Sequence, residues 1–386
     1  MAASDPLGPV AHVRDAAAAP HTQQGHMAFV DGLRGLAALA VVAYHLGLRG
    51  PRAPRLGQAM PAAGLWLVDR GGLGVAVFFV LSGFVMAHAL RDGAMDRRRF
   101  AAFAVRRVLR LTPPYYAAIG LALLVAGLAT VIKGQEYVLE DTPLSAGRLI
   151  AQLLYVQPFL GYAGVSSVFW TLCYEMAFYL SFAGLLWAAA AASRLTVLRG
   201  RGRAVVFAVV GVAALVPALS HLQDDLLPFP WLSGLFVFLL GTFTYWVCRG
   251  ALPFRWWLLY LISVLAAGVL VEPAVKVVSC ATAVLLLLAW KRRRMSTWLR
   301  SRPVQYLGRI SYSLYLTHSL ALTVVYFLVQ RVVGTGALGQ RVYVLAGVVA
   351  ALLAADLVWR AVERPSIATS RRVGRRSPST TPPIAS

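Results

Sequence analysis

Acidic side chains are scarce in this chain. Its 386 residues hold 15 Asp and Glu against 37 Lys and Arg, only 13% are charged, and 59% are hydrophobic. The mean hydropathy is +0.68. Ordinary soluble domains carry about a quarter charged residues, so a soluble globular fold is excluded. Cysteine is nearly missing as well. Cys173, Cys248 and Cys280 lie far apart in apolar stretches, outside the spacings of a disulfide framework or a zinc site. No metal is expected. Cys173 stands two residues from Glu175, which allows a nucleophile or a small buried apolar side chain. Residues 1–27 lack the apolar run of a signal peptide: they contain Asp5, Arg14, Asp15 and only a short alanine run at 16–19. They read as a disordered cytoplasmic leader.

What is present is a series of long apolar runs. Ten are recognised, at 29–48, 73–90, 114–132, 167–190, 204–221, 231–248, 256–271, 273–290, 308–331 and 341–361. Each approaches the length needed to cross about 30 Å of hydrocarbon as a helix. The expected fold is all-α: a polytopic membrane protein with about ten transmembrane helices in the lipid bilayer. The net charge of +22 does not indicate nucleic acid, because the basic residues cluster beside the apolar runs. With the N-terminus inside, the cytoplasmic segments collect 26 Lys and Arg and the outer loops 8. That bias places both termini in the cytoplasm of a multi-pass protein of the cell membrane. Residues 28–366 form the membrane domain, and 367–386, rich in Arg, Ser, Thr and Pro, a disordered basic tail. The segment 149–156, between the third and fourth spans, is too short to cross; it reads as an interfacial or re-entrant piece.

Several runs carry polar residues that lipid does not favour. In the first, Arg34 and His45 are eleven helical steps apart, so they share a face to within about 20° but differ in depth by about 16 Å. Ionisable residues inside a span are functional by default; the alternative is that both reach the two interfaces. The second run offers a hydroxyl and a small residue at Ser82 and Gly83, which fits either a site or close helix packing. Arg106, Arg107 and Arg110 follow it at helical spacings i, i+1 and i+4. Like charges so placed repel unless an anion joins them, and guanidinium groups suit phosphates. Others of these arginines serve as topology signals. The fourth run contains a single acid, Glu175, with Tyr179 a turn beyond and Trp170 a turn and a half before, as if lining one cavity. A solvated boundary position is the other reading of Glu175. The ninth run places His318 in a membrane span beside several hydroxyls.

Taken together, these stretches resemble the successive landmarks of the integral-membrane acyltransferase-3 family. The resemblance rests on Phe29 to Ala38 with His45, Phe78 to Phe84, Arg106 to Pro113, Trp170 to Glu175, Gly308 to His318 and Glu363 to Pro365, in the expected order. It covers roughly residues 27–366. The resemblance implies a ten-helix enzyme that moves an acyl group, commonly acetyl from acetyl-CoA, to a hydroxyl of a carbohydrate, lipopolysaccharide or glycosylated natural product. The basic residue and histidine regarded as essential in that family map to Arg34 and His45. This chain departs from the family at Thr171, where serine is frequent, at Thr317 before His318, where tryptophan is frequent, and at Ser319 near a frequent proline.

The resulting expectation is an O-acyltransferase with no tightly bound cofactor and with acetyl-CoA or another acyl-CoA as co-substrate. Arg34, Arg106, Arg107 and Arg110 would hold the donor. His45 would take the acceptor proton, with Glu175 orienting that imidazole or binding sugar. Ser82, Trp170, Tyr179 and His318 would face substrate. Direct transfer and an acyl-enzyme intermediate both remain open. The rival function is a transporter or flippase whose Arg34, His45, Glu175 and His318 line a path. The orientation is testable. Thr22→Cys and Arg372→Cys variants are expected to resist an impermeant thiol reagent in intact cells, whereas Glu140→Cys is labelled. External labelling of either terminus overturns the topology.

Overall fold

A computed structural model describes residues 27–49, 61–91, 95–134, 142–198, 201–219 and 232–373. Of the expected leader only Met27 falls within these, and of the tail only residues 367–373. The described residues are helical, without strands: α1 (Ala28–Arg49), α2 (Ala62–Arg70), α3 (Gly74–Ala89), α4 (Arg97–Lys133), α5 (Ala146–Leu153), α6 (Trp170–Ala192), α7 (Gly202–Leu219), α8 (Leu232–Cys248), α9 (Phe254–Leu270), α10 (Pro273–Lys291), α11 (Arg302–Val332), α12 (Ala337–Val358) and α13 (Arg364–Ser370). Seven helical stretches are long and apolar enough to cross a membrane, and three shorter apolar helices, within α7, α8 and α9, accompany them. Together they occupy the ten expected spans. In lipid only such internally hydrogen-bonded segments are viable.

Three boundaries differ from the sequence reading. The basic stretch before the third span, expected as a cytoplasmic connection, is the first half of α4, a single helix of 37 residues. At 1.5 Å per residue it is about 55 Å long. Asp96 caps its start by accepting the Arg99 N–H at 2.7 Å. Pro113 and Pro114 lie inside it and remove two backbone donors, and Tyr312 of α11 braces that point by donating to Leu111 O at 2.8 Å. Secondly, the last span does not stop near residue 361. It passes through a π-turn at Trp359–Glu363 into α13, carrying the chain as a helix to Ser370. Residues 367–370, expected as the start of the tail, are thus helical, and the tail beyond residue 373 lies outside the described residues. Thirdly, α2 and a 3₁₀ turn, Gly71–Leu73, prolong the second span at its N-terminal end.

Between α4 and α6 the short segment does not cross. The guanidinium of Arg148, 1% exposed, donates to the carbonyls of Ala163, Thr142, Pro143 and Gly164. Gln152 accepts from Val165 N–H at 2.9 Å, and Tyr115 and Tyr116 of α4 donate to Gln152 O and Leu153 O. This segment is thus fastened to α4 by polar bonds rather than spanning, as its length requires.

The bundle is centred on α1, which packs between α11 and α3, with α8 and α10 behind α3 and α12 behind α11. Two glycine crossings set these distances. A Cβ built on Gly35 would meet Gly308 N at 2.5 Å, and one on Gly308 would meet Asp31 O at 2.3 Å, so α1 and α11 touch backbone to backbone. A Cβ on Gly83 would lie 1.9 Å from Phe238 O, and one on Gly241 1.9 Å from Val80 O, locking α3 to α8. Small residues permit such approach where no hydrophobic force drives helices together in lipid. Stacked rings of Phe79, Phe178 and Phe238, with centroids 4.5 and 4.0 Å apart, fill the space beside the second crossing. The packing reading of Ser82-Gly83 therefore holds for Gly83. Gly83→Leu is expected to destabilise the detergent-solubilised protein by roughly 1–3 kcal/mol or more through overpacking, seen as a lower unfolding temperature. Gly184→Ala, whose Cβ would meet nothing within 4 Å, is expected to leave it unchanged or raised.

Candidate active site

The alternation of the helices brings the C-terminal end of α1 and the N-terminal ends of α3, α6, α8 and α10 to one side of the bundle. There they enclose a cavity of about 700 Å³. His45 lines it from α1, Trp170 and Tyr174 from α6, Asp69 and Arg70 from the end of α2, and Glu272 from the start of α10. Glu272 has a φ of 47°, a left-handed conformation that L side chains adopt at a cost, directly before Pro273. A volume of this order suits a small ligand.

A second, smaller cavity of about 40 Å³ lies deeper. Arg34, Ser82, Thr171, Glu175, Ser311 and Tyr312 line it. The two cavities share the walls Val75, Phe79 and Tyr315. Tyr315 is fixed between them: its hydroxyl donates to Val168 O at 3.1 Å and receives the Thr171 hydroxyl at 2.7 Å, while its ring meets Phe78 at 5.7 Å.

At the inner cavity Glu175 Oε1 accepts from Ser82 Oγ at 2.7 Å and from the Tyr179 hydroxyl. The Arg107 guanidinium lies over the Tyr179 ring, 4.4 Å from its centroid, and reaches Met86 Sδ at 3.1 Å. A cation against an aromatic face whose hydroxyl meets a carboxylate spreads the charge without a direct ion pair. Arg110, one turn on, has Arg34, Arg107 and Glu363 as its charged neighbours. Glu363 is buried, and its Oε2 accepts from Ser313 Oγ at 2.5 Å and Ser313 N–H at 3.2 Å. The π-turn places it there. Arg34 and Arg110 are its charged neighbours.

His45, which lines the outer cavity, meets His318 behind it. The Nε2 of His318 is 3.2 Å from Nδ1 of His45, and the rings are nearly edge to face with centroids 4.8 Å apart. Each Nδ1 also lies 2.9 Å from the carbonyl four residues earlier, Val41 O and Leu314 O.

The predicted residues are therefore divided between two places. Ser82, Glu175 and Tyr179 come together around the inner cavity, with Arg34, Arg107 and Arg110 nearby. Trp170 does not join Glu175 and Tyr179 in one cavity; five helical steps turn it to the outer one. Glu175 is not the group that holds the His45 ring, since Val41 O and His318 occupy that nitrogen. His318, expected to face substrate, is fully buried behind His45 and lines neither cavity. Arg106 is turned about 100° from Arg107 and makes no hydrogen bond or ion pair among the described residues. Sequence reasoning did not single out Tyr315, Asp69 or Glu272. Tyr315 sat inside the noted stretch Gly308 to His318, whereas the two acids lie at helix junctions with no periodic signal.

Among known proteins, the family model described as an acyltransferase domain matches residues 27–360. The chain is 35% identical to nodulation protein 10 of Rhizobium leguminosarum bv. viciae over 138 residues, 33% of this chain and 36% of that protein. It is 33% identical to acyltransferase MdmB of Streptomyces mycarofaciens over 161 residues, 40% of this chain and 37% of the other. A putative membrane-bound transacylase, BcsY of Komagataeibacter xylinus, is 28% identical over 309 residues, 75% of this chain and 71% of that one. The chain thus spans little more than a third of the first two relatives' length. No solved structure matches it. With the family model covering nearly all of its helical domain, this multi-pass membrane protein belongs to the acyltransferase-3 family.

Proposed function

We propose that the protein is a membrane O-acyltransferase that moves an acyl group, acetyl in the first instance, from acyl-CoA to a hydroxyl of a carbohydrate or glycosylated acceptor. The observation that carries this reading is the pairing of two cavities across Tyr315, with arginines behind the inner one and His45 on the outer one. Arg34, Arg107 and Arg110 supply positive charge for the donor's phosphates or thioester carbonyl. The acyl arm reaches between the helices toward Tyr315. The acceptor occupies the outer cavity, where Tyr44, Trp170 and Tyr174 present ring faces and Asp69 and Glu272 present hydrogen-bond acceptors for sugar hydroxyls.

In the transfer, His45 accepts the proton of the acceptor hydroxyl as its oxygen bonds to the thioester carbon. The carbon–sulfur bond then breaks, and the imidazolium returns the proton to the departing CoA thiolate. Atoms and charge balance without a further reagent. The orientation expected from the basic residues puts the donor on the cytoplasmic side and the acceptor on the opposite face of the cell membrane. The names of the relatives, which include an acyltransferase and a transacylase, support acyl transfer as the reaction class.

The test is transfer of label from radiolabelled acetyl-CoA to candidate glycans by purified protein. His45→Ala is expected to lower kcat by roughly 10²–10⁴-fold with donor binding little changed. A folded variant that transfers at the parental rate removes His45 from the reaction. Arg110→Ala is expected to weaken acyl-CoA binding by about 1.5–3 kcal/mol, the scale of a charge-assisted hydrogen bond, as read by equilibrium binding. Equal affinity returns Arg110 to a topology signal.

A further inference from the structure

We propose that His318 is a positioning residue that fixes the tautomer and the orientation of His45. This rests on the reading of His45 as the base and assigns the group that makes it one. A backbone carbonyl only accepts hydrogen bonds, so the contact of His318 Nδ1 with Leu314 O at 2.9 Å puts a proton on that nitrogen. The Nε2 of neutral His318 is then a lone pair. It faces His45 Nδ1 at 3.2 Å, and His45 Nδ1 is itself 2.9 Å from Val41 O. Two acceptors aimed at one nitrogen require that His45 carry its proton on Nδ1, shared between them. Neutral His45 therefore has its basic lone pair on Nε2, on the ring whose side chain lines the outer cavity.

The same geometry serves the protonated state. When Nε2 takes the acceptor proton, the positive charge spreads to Nδ1–H, which already points at the His318 lone pair and Val41 O. The orienting group is thus the neutral ring of His318. His318 is held in place. It is 0% exposed, its Nδ1 is anchored to its own helix, and Tyr315 packs at 5.9 Å between ring centroids. The contact also bridges α1 and α11, the pair joined at Gly35 and Gly308. The helix crossing thereby sets the distance between the two rings.

Steady-state kinetics of the purified enzyme with acetyl-CoA and its acceptor test this. His318→Phe keeps the ring's bulk and removes the acceptor; kcat is expected to fall about 10–100-fold, with KM for both substrates within about twofold of the parent. His318→Gln can place an amide oxygen where Nε2 stood, and is expected to recover about tenfold of that loss. Asn, one methylene shorter, is expected to recover none. A parental kcat in His318→Phe overturns the proposal, as does an equal loss in all three variants, which marks packing, or a rise in acceptor KM alone, which marks substrate contact. Should the Phe variant fail to reach the membrane, equal kcat for Gln and Asn overturns it instead. A parent without transfer, or an active His45→Ala, sinks the reading of the base; an active parent with an insensitive His318 sinks this inference alone.

Discussion

Inside hydrocarbon no water is at hand to satisfy a polar group, and the bundle is organised by that constraint. Many of its buried polar side chains lie where α1, α3, α6 and α11 face one another, and several of them find a partner on a neighbouring helix or their own. Ser82 and Tyr179 serve Glu175, Thr171 serves Tyr315, Ser313 serves Glu363, and His318 serves His45. The lipid-facing sides can then remain apolar, as the exposed leucines and valines of α4, α9 and α12 are. Gathering the polar groups in this way also creates the cavities, because side chains that must hydrogen-bond cannot also pack like aliphatic ones.

The backbone contacts make this arrangement possible. Only glycine lets α1 approach α11 and α3 approach α8 to the distances found, and each crossing lies next to functional groups: Gly35 beside Arg34, Gly83 beside Ser82, and Gly308 one turn before Ser311 and Tyr312. Close packing in these places does structural and chemical work together. A wider crossing of α1 and α11 would separate His45 from His318 by more than a hydrogen bond can span.

Charge is managed differently at the two ends. The inner cavity is lined by Arg34 and Glu175, and the surrounding charged groups, Arg107 and Arg110 with Glu363, tip the balance of this end toward cations. It suits an anionic or electron-rich group. The outer cavity has the reverse balance, Asp69 and Glu272 against Arg70, together with ring faces and an imidazole. Such a surface suits a polyhydroxylated ligand. Tyr315 stands between these two chemistries with its hydroxyl hydrogen-bonded on both counts, as donor and acceptor.

The sequence by itself determined the class of protein: ten apolar runs, scarce acids and a biased set of arginines leave a helical bundle in lipid as the outcome. It also marked Arg34, His45, Glu175 and His318, because an ionisable residue in an apolar run stands out against a nearly uniform background. Helical period correctly related residues on one helix, such as Glu175 to Tyr179. Partners on different helices were beyond it. Which groups meet depends on crossing angles and glycine contacts between segments distant in sequence, 273 residues apart for His45 and His318. Tertiary structure alone therefore separated Trp170 from Glu175, withdrew Glu175 from the His45 ring, turned Glu363 inward through a π-turn, and brought Asp69 and Glu272 to the same cavity. The physical reason is that periodicity fixes direction within a rigid helix, while the distance between two helices is set by the smallest side chains at their crossing.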